Sequence, residues 1–260
     1  TTDGTVTAQC QVNVAEGGKS IYAYVTASTA DTSLKGKWIT FSAADPSQVT
    51  SVAEGAEIVD AVNADGRIYA YLKGGKQLVT IEFTADGAVY TNVGSAGTNV
   101  IRSMAYDPVR KKLYGVSTFK MFEIDKTTGK QTALYSGNYF NLGAGNMMNT
   151  ICCDQKGNVY GILGGGALCT LDPTTGQGEF VIGKSTSADG STPSTLANNS
   201  MCVDPETNEV YWAATTRTYD SATTTVLNTI NVETGKVGAQ IGVIGGNASK
   251  IKVTGVFFGE

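Results

Sequence analysis

SMAYDPVRKKLYGVSTFKMFEIDKTTGKQTALYSG, residues 103–137, is the stretch from which the fold is read. Strand-like SMAY meets a turn at Asp107-Pro108 and is followed by LYGV. MFEID comes next, then a second turn at Lys126-Thr127-Thr128-Gly129, then QTALYS ending at Gly137. Short apolar and aromatic runs bounded by Asp, Pro, Thr and Gly read as strands joined by tight turns. The unit is therefore a four-stranded antiparallel meander. Downstream it returns as ICCDQKGNVYGI with CTLDPTTGQGEFVIG, and as MCVDPETNEVYWA with NTINVETGKVGAQIG. Upstream it is fainter: IVDAVNADGRIYAY with VTIEFTADGAVYTNVG, and QVNVAEGGKSIYAY with ITFSAADPSQVTSVAEG.

The tyrosine of the second strand sets the period. It falls at Tyr22, Tyr69, Tyr114, Tyr160 and Tyr211, with steps of 47, 45, 46 and 51 residues. A repeat of about 45 residues with four strands each is a propeller blade. The expectation is an all-β propeller in one domain, residues 1–260, with five blades at about Gln9–Gly55, Ala56–Gly94, Asn99–Gly137, Met147–Gly183 and Asn199–Gly242. The tail KIKVTGVFFGE matches the start of a further blade, VTGVFF aligning with IRSMAY. Propellers close by mixing strands from both ends, because an open ring leaves a bare strand edge. Five blades closed by the tail is the preferred reading; six blades with an incomplete last one is the alternative.

Composition agrees. Gly 32 against Pro 5 suits many tight turns, and 41% hydrophobic residues can supply a core. A net charge of −4 argues against a nucleic-acid partner, which calls for a basic footprint. No apolar run reaches the ~18 residues of a membrane helix. The absence of histidine removes Ser-His-Asp and Cys-His catalysis and most zinc chemistry. Gly164-Gly165-Gly166 lacks the Lys-Ser/Thr of a phosphate loop and reads as a hairpin. No cofactor and no metal are expected. Asp107, Asp154 and Asp204, like Asp125, Asp172 and Asn231, read as turn formers without ligand spacing.

One residue before each of the first three acids the side chains are Tyr106, Cys153 and Val203, and three before they are Met104, Ile151 and Met201. Two before, they are small: Ala105, Cys152 and Cys202. Large and small residues on opposite strand faces suit inner strands crowding toward an axis.

The repeats D-P-x-x-x-x-[VL]-Y and D-x-x-T-G-K resemble those of bacterial secreted propellers of the YVTN and surface-layer-like type, over roughly residues 9–258. The resemblance implies an exported protein of the bacterial envelope or extracellular space, one that binds a partner.

Geometry narrows the location. In a meander the first-to-second and third-to-fourth turns share one face, and here those turns are short. The long insertions, residues 26–36, 138–146, 184–198 and 215–224, fall on the opposite face. Binding residues concentrate on variable loops held by a rigid scaffold. The candidates there are Tyr139, Phe140, Arg217 and Tyr219 on loops, with Arg102, Asn149 and Asn199 at matching positions where inner strands begin. Aromatic rings beside Arg and Asn suit carbohydrate or a protein partner. The expected function is a monomeric, non-catalytic binding or scaffold module. The alternative is a histidine-independent lyase or hydrolase at the channel mouth.

Five cysteines give no paired framework, and Cys152 and Cys153 are neighbours in one strand, pointing to opposite faces. Thermal melts with and without reductant should therefore coincide; a large drop on reduction would mean that Cys152 and Cys202 had been misread.

Overall fold

The computed structural model describes residues 19–137, 147–164, 166–184, 199–215 and 224–259. Blade 1 holds β1 (Ser20–Ser28), β2 (Lys37–Ser42) and β3 (Thr50–Glu54). Blade 2 holds β4 (Ile58–Ala64), β5 (Arg67–Leu72), β6 (Leu78–Thr84) and β7 (Gly87–Asn92). Blade 3 holds β8 (Ser103–Asp107), β9 (Lys112–Val116), β10 (Met121–Ile124) and β11 (Gln131–Ala133). Blade 4 holds β12 (Met148–Cys153), β13 (Val159–Leu163), β14 (Ala167–Leu171) and β15 (Gly178–Lys184). Blade 5 holds β16 (Ser200–Val203), β17 (Val210–Thr215), β18 (Thr225–Ile230) and β19 (Val237–Val243). The final strand, β20 (Ile251–Phe258), pairs with β1, so blade 1 runs β20-β1-β2-β3.

The inner strands β20, β4, β8, β12 and β16 pack on one another in that cyclic order, and the ring closes from β16 back to β20. The molecule is a five-bladed β-propeller. Helix among the described residues is limited to a single turn at Thr32–Leu34 and four residues at Gly246–Ser249.

The tail closes the ring as its sequence alignment implied. Phe257 lies opposite Tyr22, as Ala105 lies opposite Tyr114 in blade 3. One element of the expectation changes. QVNV, proposed as the first strand of blade 1, lies outside the described residues, and the place beside β1 belongs to β20. The physical reason is legible in β20, whose eight residues bury two consecutive aromatics toward different neighbours. Phe257 stacks on Tyr22 at 5.4 Å and meets Trp38 edge-on at 5.9 Å, within the cluster shared with blade 2. Phe258 meets Tyr211 of blade 5 at 5.5 Å. Each fully buried Phe contributes about 1.5–3 kcal/mol, and here both contributions fall on the closing strand.

The large and small columns of the inner strands sort as alternation requires. Met104 packs back among Val62, Tyr69 and Tyr71 of blade 2, while Ala105 packs forward with Ile151 and Cys153 of blade 4. Cys152, Cys153, Cys169 and Cys202 are buried free thiols acting as small core residues, and Cys10 lies outside the described residues. The hairpin turns also behave as read. Asp125 Oδ1 accepts the N–H groups of Thr127 and Thr128, Asp172 Oδ1 that of Thr174, and Asn231 Oδ1 those of Glu233 and Thr234. Gly129, Gly176 and Gly235 then take positive φ at equivalent places, which a side chain would resist.

A chain ending at Ser249 would lose β20 and leave β1 and the inner edges of two neighbouring blades uncovered. It should fail to give a cooperative thermal transition and should aggregate during size-exclusion chromatography. A folded, monomeric truncation would show that closure does not depend on β20.

Candidate functional site

The inner strands present their edges to the propeller axis, and an edge strand carries backbone N–H groups with no ladder partner. At one level of the axis those groups are taken by side chains. The Met104 N–H donates to Asp60 Oδ2 at 2.9 Å, the Ile151 N–H to Ser103 Oγ at 3.0 Å, and the Val256 N–H to Ser200 Oγ at 3.1 Å. Each donor belongs to the inner strand of the blade that follows the acceptor's. Blade to blade, the side chains form a belt.

Asp60 ties the belt across the axis. Ser103 Oγ donates to its Oδ2 at 2.6 Å, and Ser200 Oγ, two blades away, donates to its Oδ1 at 2.9 Å. Thr150 holds the equivalent place in blade 4, with its Oγ1 3.2 Å from Ser103 Oγ. Blade 1 contributes Gly255 at this level. Its φ is +61°, and a Cβ there would come within 2.8 Å of Ile58 Cδ1 and 3.1 Å of the Ala61 nitrogen. The Ala61 N–H therefore meets no side chain from β20 and lies close enough to the Asp60 carboxylate to help hold its pKa down.

Asp60 is fully buried, and burial pushes its pKa up to about 6; hydrogen bonds from Ser103, Met104, Ser200 and Ala61 pull the other way and limit the rise. With both oxygens committed, it plugs the axis. The sequence reading missed Asp60. The available signal was a polar column, Asp60, Ser103, Thr150 and Ser200, two residues before the small column Val62, Ala105, Cys152 and Cys202 that pairs with the repeat tyrosines.

On the long-loop side of the belt lie Arg102, Asn149 and Asn199, one residue earlier on β8, β12 and β16. The Arg102 N–H bonds the Val116 carbonyl just before β8, and Asn149 occupies a bulge, skipped between the pairs of Met148 and Thr150. Val59 is skipped likewise in β4. A bulge re-aims side chains at a strand end and bends the strand. Arg102 is exposed, with its guanidinium 3.3 Å from Thr118 Oγ1. Asn199 Oδ1 is buried with no hydrogen-bond partner among the described residues. Tyr139, Phe140, Arg217 and Tyr219 fall outside the described residues.

Charge is unevenly divided between the faces. Among the described residues, the long-loop face carries Lys35 and Lys37 in blade 1, Lys73 and Lys76 in blade 2, and Arg102 and Lys120 in blade 3. Lys250 and Lys252 join them at the start of β20, against Asp31, Glu54 and Glu57. Eight cations thus face three anions on a chain whose net charge is −4.

The short-turn face is built differently. A cavity of about 290 Å³ opens there, walled by Met104, Ala105, Cys152, Met201, Cys202 and Phe257 and rimmed by Lys19, Asn63, Asp65, Tyr106 and Gln155. The Asp turns around it are internally satisfied. Buried Asp107 accepts the N–H groups of Val109 and Arg110 and an Arg110 guanidinium contact at 2.7 Å. Asp154 Oδ1 accepts the N–H groups of Lys156 and Asn158. At the rim, Tyr106 donates to Asp65, Lys111 pairs with Asp65 at 3.1 Å, and the Lys126 ammonium lies 4.8 Å from the Tyr106 ring centroid.

No family model and no curated protein matches the chain. Solved structures do. A chain of the nidogen/laminin complex is similar over 94% of this chain and 99% of its own length, at 9% identity and a TM-score of 0.56. The extracellular domain of the hybrid two-component system BT4673 from B. thetaiotaomicron is similar at 17% identity over 83% of this chain and 27% of its own, with a TM-score of 0.45. PorZ, a surface component of the type-IX secretion system of Porphyromonas gingivalis, is similar at 18% identity over 75% and 28%, with a TM-score of 0.41. At these identities the likeness is one of fold, and the nidogen/laminin match is consistent with a propeller.

The Asp60 carboxyl gives a pH signature of unusual sign. Its folded pKa of about 6 exceeds the ordinary aspartate value of 3.8. Its contribution to stability is therefore full below pH 4 and is lost as pH rises through 6, a change of about 3 kcal/mol at 1.36 kcal/mol per unit. Urea unfolding of the wild type and Asp60→Asn at pH 4 and pH 7 should show the variant gaining about that much relative to wild type at the higher pH. A difference independent of pH would mean that Asp60 keeps an ordinary pKa in the fold.

Proposed function

We propose that this chain is a non-catalytic binding or scaffold propeller, exported to the bacterial envelope or extracellular space, that takes a carbohydrate or protein partner on its long-loop face. The observation that carries the reading is the Asn199 side chain. A buried acceptor without a donor costs about 1–3 kcal/mol, and Asn199 Oδ1 sits at the mouth of the axis, at the position that matches exposed Arg102 and Asn149. A ligand hydroxyl or amide would supply the missing donor. The bulge at Asn149 gives the same mouth a strand end bent away from the regular ladder.

A non-catalytic role is supported by the way Asp60 is used. Of the described carboxylates it has the pKa most clearly raised, yet it lies beneath the mouth with both oxygens bonded within the belt. Placement outside the cell rests on the repeat motifs.

A second reading is favoured by the cavity on the short-turn face, whose size approaches that of small-ligand sites, roughly 300–1,000 Å³. The two faces separate experimentally. Once a partner is found by glycan and peptide arrays, Arg102→Ala and Asn199→Ala should each weaken binding by about 1–3 kcal/mol with the thermal melt preserved. Lys130→Ala, an exposed substitution on the short-turn face, should leave binding unchanged. Lys126 is a poorer control, because its ammonium packs over Tyr106 at the cavity rim. Loss of binding in Tyr106→Ala or Gln155→Ala, with Arg102→Ala silent, would transfer the site to the cavity.

A further inference from the structure

We infer that the ligand of the long-loop face is an acidic polysaccharide, a chain of sugars bearing carboxylate or sulfate groups. The inference rests on the long-loop reading above and names its chemistry. Blades 1, 2 and 3 are consecutive in the ring, and the basic residues of this face lie on them as one arc. Lys35, Lys76 and Arg102 are exposed, and Lys37 and Lys120 half-exposed. Of Lys35, Lys37, Lys73, Lys76, Arg102 and Lys120, Lys73 alone has a described carboxylate partner, Glu57 at 2.8 Å. A concentration of like charge on an otherwise acidic chain is held against its own repulsion, and a polyanion laid across it would relieve that repulsion.

The composition of the arc selects among polyanions. Apart from Arg102 it is all lysine, whose ammonium is a compact point charge, so it offers a single guanidinium fork where phosphate and base-edge readers use several. Asn199 adds a second requirement, since its buried Oδ1 needs a hydrogen-bond donor. A sugar acid offers an anion and hydroxyl donors in one repeating unit and satisfies both. A lipid phosphate or phosphodiester group offers acceptors alone.

The test uses the full chain with sodium polygalacturonate, its fully methyl-esterified neutral form, and vesicles of phosphatidylglycerol. Polygalacturonate should bind, with log K falling as log salt rises. The triple variant Lys35→Ala/Lys76→Ala/Arg102→Ala, checked for an unchanged melt, should weaken that binding about tenfold. The neutral polymer should bind at least as weakly as the triple variant does the acidic one. Binding of vesicles without polygalacturonate would overturn the inference in favour of an anionic lipid surface. Equal, salt-independent binding of acidic and neutral polymers, lost on Asn199→Ala, would overturn the charge argument while the long-loop face stands. Polygalacturonate binding lost on Lys156→Ala and unaffected by the triple variant would overturn the inference and the face together.

Discussion

Five strand edges meeting on one axis leave backbone N–H groups that have neither a ladder partner nor free access to water. Everything else in this propeller is arranged around how those groups are satisfied. The solution is a polar side chain on four of the five inner strands, three of them accepting an N–H of the next blade: Asp60 takes Met104, Ser103 takes Ile151 and Ser200 takes Val256. Because acceptor and donor lie on different blades, each bond is also an angular restraint between neighbours. The belt fixes blade spacing at the radius where the packing tolerance is least.

The place where the pattern departs from itself explains the carboxylate. β20 contributes Gly255, with no side chain, since a Cβ would strike Ile58 and Ala61. One acceptor is missing, and one N–H, that of Ala61, is left over. A hydroxyl in β4 could serve only Met104. A carboxylate has two oxygens and room for several donors, so Asp60 serves Met104 and both serines at once, with the Ala61 N–H beside it. The cost of burying its charge is the reason its proton is held so much more tightly than in water. Closure by a strand from the far end of the chain and an acid at the centre are thus two sides of one constraint.

Most of the fold was legible because it is repeated. Tyr22, Tyr69, Tyr114, Tyr160 and Tyr211 mark second strands, and the Asp and Thr-Gly turns mark hairpins, each by a local preference that needs no knowledge of the rest of the molecule. The alignment of VTGVFF with IRSMAY carried the closure for the same reason. What could not be read was the work of residues whose partners are distant in sequence. Asp60 in IVDAVN looks like any acid in a strand until Ser103 and Ser200, 43 and 140 residues away, are placed against it. The blade 1 inner strand failed for the complementary reason, since QVNV has the right local pattern and only β20 has the paired aromatics that hold blades 2 and 5 together.

The candidate site inherits this division. On the short-turn face, repetition leaves little chemistry unspent, because the acids are tied to their own turns and the cavity between them is walled mainly by inner-strand core side chains. On the long-loop face the meander imposes no common turn, so Arg102, Asn149 and Asn199 can differ between blades, each one residue before the belt. Blades 1 to 3 also carry there a positive charge that folding does not call for. Repulsion among those lysines works against the compact state, though only weakly at exposed positions and in physiological salt. The belt beneath them is neutral when Asp60 is protonated and carries one negative charge when it is not. The field at the mouth therefore becomes less positive as Asp60 ionises, which couples the buried device that closes the ring to the surface most exposed to a partner.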